Sequence, residues 1–121
     1  MAKLSRDGAN VVVSLSTAEK FEGLHGDIRF PLASVTSVEV LDDAFGAVKG
    51  MWDDAKIAGS YLPGVIAAGT FRNGEGDGIL LAFVHRDATR GLQIELAGEK
   101  YGRVVVGLAD PEGVKAQIFG L

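Results

Sequence analysis

Cysteine is absent from the chain. Disulfides, thiolate zinc sites, iron–sulfur clusters and cysteine nucleophiles are therefore excluded together. Histidine is nearly absent, with only His25 and His85. Two imidazoles make no zinc site unless the fold brings carboxylates beside them. Clustered positive charge is lacking as well. Residues 1–60 carry 6 basic against 9 acidic side chains, residues 61–121 carry 6 against 7, and the formal net charge is −4. Affinity for nucleic acid or anionic lipid comes largely from clustered Lys and Arg. Neither partner is expected, and phosphoinositide binding is not expected either. The longest apolar run, Ile79 to Val84, is far too short to span a bilayer, so membrane insertion is not expected. The opening MAKLSRDGAN is charged and polar, unlike a secretory signal. Ala2 is not the glycine that N-myristoylation requires. The expectation is a cytoplasmic protein.

What is present points to a β-rich fold. A length of 121 residues suits one domain, 1–121, and 47% apolar residues suffice for an ordinary core. The 17 glycines are scattered at strand ends rather than periodic, which suits many turns and bulges. Four strands read in succession: VIAAGTF (65–71), GILLAFVH (78–85), GLQIELA (91–97) and RVVVGL (103–108). Leu92, Ile94 and Leu96 point inward, with Gln93 and Glu95 outward. The strand from Ile79 differs, being apolar on both faces, so both of its faces must be covered. The small residues Ala67, Ala68 and Gly69 suggest the close approach of another backbone.

Ahead of these strands, Asp7-Gly8 is a strong turn dipeptide between a strand at 3–6 and one at 10–15. Val11, Val13 and Leu15 share a face of the second. Ser16-Thr17-Ala18-Glu19 matches a capping box for a short helix over 17–24. Phe30-Pro31 holds Phe30 extended. Leu32, Val35, Val38 and Val40 predict a turn or bulge near 34–37, then a strand over 38–41. Residues 42–64 lack clean alternation. Phe45, Val48 and Trp52 have roughly helical spacing, while Gly46 and Gly50 weaken a helix by about 1 kcal/mol each relative to Ala. A structureless stretch of this length is uncommon in a compact domain. It is either packed by its own apolar residues or the working part. At the far end, Asp110-Pro111-Glu112 predicts a helix start, with Val114, Ile118 and Leu121 as one apolar stripe.

The order of strands, a long variable segment, a meander and a capping helix has a counterpart. With the pattern Arg29-Phe30-Pro31-Leu32…Val35…Val38-Glu39-Val40 and the ending Tyr101-Gly102-Arg103-Val104-Val105-Val106…Asp110-Pro111, the chain resembles the bacterial pleckstrin-homology-like domains. More narrowly, it looks like small single-domain actinobacterial proteins of that kind. The resemblance implies a mainly β fold: a partly open antiparallel barrel of about seven strands in two nearly orthogonal sheets, plugged by the C-terminal helix. It implies binding or assembly rather than catalysis. Phosphoinositide-binding members use basic residues around the first strand pair. Here that turn is Arg6-Asp7-Gly8-Ala9-Asn10, one cation offset by one acid, so that function does not carry over.

No constellation of residues suggests an enzyme. Gly74, Gly76 and Gly78 lead into a strand rather than a helix, which fits a hairpin connection and not a phosphate loop. No G-x-S-x-G turn is present for a serine nucleophile. His85 reads as a rim residue at a strand end. Asp42-Asp43 and Asp53-Asp54 read as solvated positions without EF-hand spacing. No catalytic residue, cofactor or metal is assigned. Met and aromatic residues are enriched at interfaces, and the chain's one tryptophan lies in the irregular segment. Phe45, Val48, Met51, Trp52 and Tyr61 are therefore the expected binding residues, with packing over the core as the competing reading. The function expected is a non-catalytic binding or assembly module that self-associates or takes a protein partner. The alternative is a small-molecule or lipid carrier with a pocket under the 42–64 loop.

Overall fold

The computed structural model describes residues 2–15, 28–51, 55–62, 65–72 and 79–121; residues 49–51, 55–62 and 72 are described by their backbone course alone. The helix expected over 17–24, His25, Trp52, Asp53, Asp54 and the connection 73–78 lie outside the described residues.

The described chain is mainly β. Strands β1 (Lys3–Asp7), β2 (Asn10–Ser14) and β3 (Ile28–Pro31) form one sheet in that order. A short 3-10 turn over Leu32–Ser34 leads into β4 (Val35–Leu41). Helix α1 (Ala44–Met51) and strand β5 (Ala55–Leu62) follow, then β6 (Ile66–Arg72), β7 (Ile79–His85), β8 (Gly91–Leu96) and β9 (Arg103–Gly107). These last four strands and β4 and β5 make a six-stranded sheet ordered β4-β8-β9-β7-β6-β5. The described residues thus carry nine strands where the sequence suggested about seven, and the two sheets are not closed into one. The expected bulge is real: the β4–β8 register shifts between Val35 and Ser37, and the strand begins at Val35, ahead of it.

One pairing departs from a meander. β9 runs parallel to β7 and antiparallel to β8, so it fills the slot between them. The link from β7 to β8 must therefore pass the end of β9. Two glycines make room for this. A Cβ on Gly107 would stand 2.3 Å from the Ala88 carbonyl oxygen, and one on Gly91 would stand 1.9 Å from that of Val106. Both distances are too short for any side chain. The Leu108 N–H then donates to the Arg90 carbonyl (2.8 Å), tying the crossing down.

The two sheets face each other across the larger core. Val11, Val13, Ile28 and Phe30 meet Leu81, Phe83, Leu92, Ile94, Val104 and Val106, all nearly inaccessible to water. The alternation read from the sequence holds in β2 and β8, where Val11 and Val13, and Leu92, Ile94 and Leu96, line this core. The final segment, α2 (Pro111–Val114) continuing as a π-helical turn over Lys115–Phe119, touches β1 and β4 at the open side. The Asp110 carboxylate caps α2 by accepting from the Gly113 N–H (3.1 Å). Val114 and Ile118 pack on the core as expected, but Leu121 is 67% exposed and Phe119 packs there instead. The π turn is wider than an α turn and shifts the phase of the stripe, and Gly120, at φ +69°, ends it.

Among the described residues no helix is long and apolar enough to cross a membrane.

Candidate functional site

The outer face of the six-stranded sheet is divided. Strand pairing lines up Glu39, Gln93, Val105, Ala82, Gly69 and Gly59 in one row across it. A neighbouring row runs Ser37, Glu95, Arg103, Leu80, Phe71 and Lys56. On β4 and β8 these rows are polar. Arg103 on β9 continues the polar part of the second row, and from Val105 on β9 through β7 to β6 the rows turn apolar.

The polar half is held by side-chain pairs. Arg103 donates to Glu95 at 2.5 Å, and Ser37 donates to the same carboxylate at 3.3 Å. The apolar half is covered by α1. Ala44, Phe45 and Val48 form a second core with Ala67, Phe71, Leu80, Ala82, Val84 and Val105. This answers the question posed by the strand at Ile79: its second face is covered by a helix from the 42–64 segment of the same chain. Phe45 is 8% exposed and Val48 fully buried, so both side chains of the proposed patch are turned toward the sheet. Met51 ends α1 and Tyr61 lies on β5, at the sheet's edge, each described by backbone only; Trp52 lies outside the described residues.

Residues 89–90 anchor this cover, and nothing in the sequence pattern singled them out. The Thr89 carbonyl accepts from the Ala44 N–H (2.8 Å) at the first residue of α1. Asp43 caps the helix by accepting from the Gly46 N–H (3.0 Å). Arg90 donates to Asp42 (3.3 Å) and to Glu112 in the first turn of α2. One guanidinium thus links the starts of both helices. Its hydrogen bond with Glu112, ahead of the charge of Asp42, raises the Arg90 pKa, and the same bond holds the Glu112 carboxyl below its ordinary value. A signal for this anchor existed only as a lone Arg before Gly91.

The remaining sequence candidates stay apart from this cover's apolar residues. His85 ends β7 with its Nδ1 3.7 Å from Asp87. Asp42 is almost fully exposed, and among the described residues no three His, Cys, Asp or Glu side chains gather where a metal could sit. A separate open cavity of about 270 Å³ lies between Leu32, Val35, Thr36, Ser37, Phe119 and Leu121. Comparison of the chain with protein-family models, curated proteins and solved structures finds no match.

Proposed function

We propose that the protein is a non-catalytic binding module that works through the α1 segment. The observation that carries this reading is the apolar half of the outer sheet face, whose cover among the described elements is one eight-residue helix. A face this apolar, so lightly covered, is chemically suited to exchanging one apolar neighbour for another.

Self-association is the first form of this reading. It uses Met51, Trp52 and Tyr61, since Phe45 and Val48 are buried on the sheet. Light scattering over a wide concentration range tests it: a defined oligomer that persists on dilution is expected, and Trp52→Ala should weaken it while the circular dichroism of the fold stays unchanged. A clean monomer at all concentrations contradicts self-association. Unfolding of the variant, or unchanged association, assigns Trp52 to core packing instead.

A second reading, a carrier of a small apolar molecule or lipid, is favoured by a specific observation. Phe45 and Val48 are buried inside their own chain, so α1 closes a site without help from a second copy. Under either reading the fold is pleckstrin-homology-like. That assignment is supported by two facing sheets and a final helix against the open side at β1 and β4. The parallel β7–β9 pair and α1 on the outer face are departures that the resemblance does not account for.

A further inference from the structure

We infer that the free edge of β4 is a docking site for an extended segment of a protein partner, one in which apolar and basic residues alternate. The inference goes beyond the α1 reading and uses none of its residues.

β4 ends the six-stranded sheet. It pairs with β8 on one side, and among the described strands none pairs with its other side. An edge strand presents backbone N–H and C=O groups with which a further strand can pair. The register shift lies between Val35 and Ser37, so residues 37–41 are the regular stretch, in unbroken step with residues 91–95 of β8. At the start of β4, the open cavity of about 270 Å³ lies between the apolar side chains of Leu32, Val35, Phe119 and Leu121. Thr36 and Ser37 of the edge itself complete its lining. Leu121 is the one large apolar side chain left exposed among the described residues. A strand laid along β4 would therefore find paired backbone over residues 37–41 and an apolar recess where the register shifts.

The side chains of β4 select the occupant. Val38 and Val40 belong to the inner core, while Ser37 and Glu39 lie in the rows of the outer face. An added strand would set one row of side chains beside the valines and the other beside Glu39. Residues 35–43 hold Glu39, Asp42 and Asp43 and no Lys or Arg. Glu39 is exposed and has no ion-pair partner among the described residues, and Asp42 shares its one cation, Arg90, with Glu112. Apolar residues thus suit the valine side and the cavity, and Lys or Arg suits the Glu39 side. The same charges argue against a second copy of this chain. Two β4 strands side by side would bring two sets of Glu39, Asp42 and Asp43 into one junction, and like charges across strands destabilise a pair. An acidic edge works against self-pairing and still admits a basic strand.

A short capped peptide alternating valine and lysine is the probe, and its valine–glutamate counterpart is the control. Each is titrated into the intact protein and followed by backbone amide resonances and hydrogen exchange. The lysine peptide should shift the β4 amides and slow their exchange at least about ten-fold. It should bind at least about ten-fold more tightly than the glutamate peptide, with the difference shrinking as salt is added. Glu39→Lys changes an exposed side chain, so the fold should survive, and it should reverse the preference between the two peptides. Leu121→Ser, also at an exposed position, should weaken the lysine peptide at least about three-fold. No binding of the lysine peptide, or equal binding of both peptides, would overturn the inference. Shifts confined to α1 would overturn it as well, and would leave the α1 reading standing. A dimer in light scattering whose β4 amides are protected without peptide would make a second copy the occupant and equally overturn it.

Discussion

The two faces of the six-stranded sheet bury apolar side chains to the same extent but by different means. On the inner face Leu81, Phe83, Val104 and Val106 meet a second sheet built from β1, β2 and β3. On the outer face Leu80, Ala82, Val84 and Val105 meet α1, with Leu41 at the end of β4 packed beside it. The inner core is assembled from strands spread from residue 10 to residue 107, so no part of it can leave without the rest. The outer core depends on one contiguous segment. Equal burial in the native state therefore rests on a non-local assembly on one face and on a local one on the other.

Variants can break this contrast. Phe83→Ala, in the inner core, should lower global stability by about 3–5 kcal/mol, read as one shifted urea transition. Phe45→Ala should cost a similar amount at α1 while moving the unfolding of the strands less; an equal loss on both faces would remove the distinction. Gly91→Ala forces a Cβ onto the Val106 carbonyl and should cost about 3 kcal/mol, as overpacking does at its upper range. Gly102→Ala, with open space at its Cβ, is the control and should be near neutral. Asp110→Ala removes the cap of α2 and should cost about 1 kcal/mol in thermal or urea unfolding.

The smallest effect concerns the bond that joins the two helices. Glu112 is held below its ordinary pKa in the folded state by Arg90. A depressed folded pKa gives stability that is present above the unfolded value and lost as pH falls through the folded one. A slight drop in melting temperature is thus expected on the acid side of the ordinary glutamate range, and it should be absent in Glu112→Gln. Because both partners are solvent-accessible, added salt should diminish it.

Much of this contrast was legible in the residues. Clean alternation marked β8, valines marked β9, and the doubly apolar run at Ile79 required a second cover. The spacing of Phe45 and Val48 was helical, although Gly46 and Gly50 argued against a helix; burial on the sheet outweighs those two glycines. β5 was not legible, because its register shifts between Lys56 and Ala58 and its alanines and Gly59 have little β preference. The parallel β7–β9 pair was hidden for a different reason. Pairing between strands that are not sequence neighbours leaves no local pattern, and only the close approaches at Gly91 and Gly107 record it. The candidate site was read in part. The sequence singled out the segment, but the direction in which Phe45 and Val48 point depends on the sheet beneath them.

Trp52 follows directly after α1 in the sequence and is the only tryptophan in the chain, so it is the fluorescent probe nearest the cover in sequence, while circular dichroism reports on the strands. Equilibrium urea unfolding followed by both signals is the most direct measurement. A separable cover predicts that the fluorescence transition comes at lower urea than the loss of β-sheet signal. Coincident transitions would mean that α1 and the two sheets unfold as one unit, and would contradict the account.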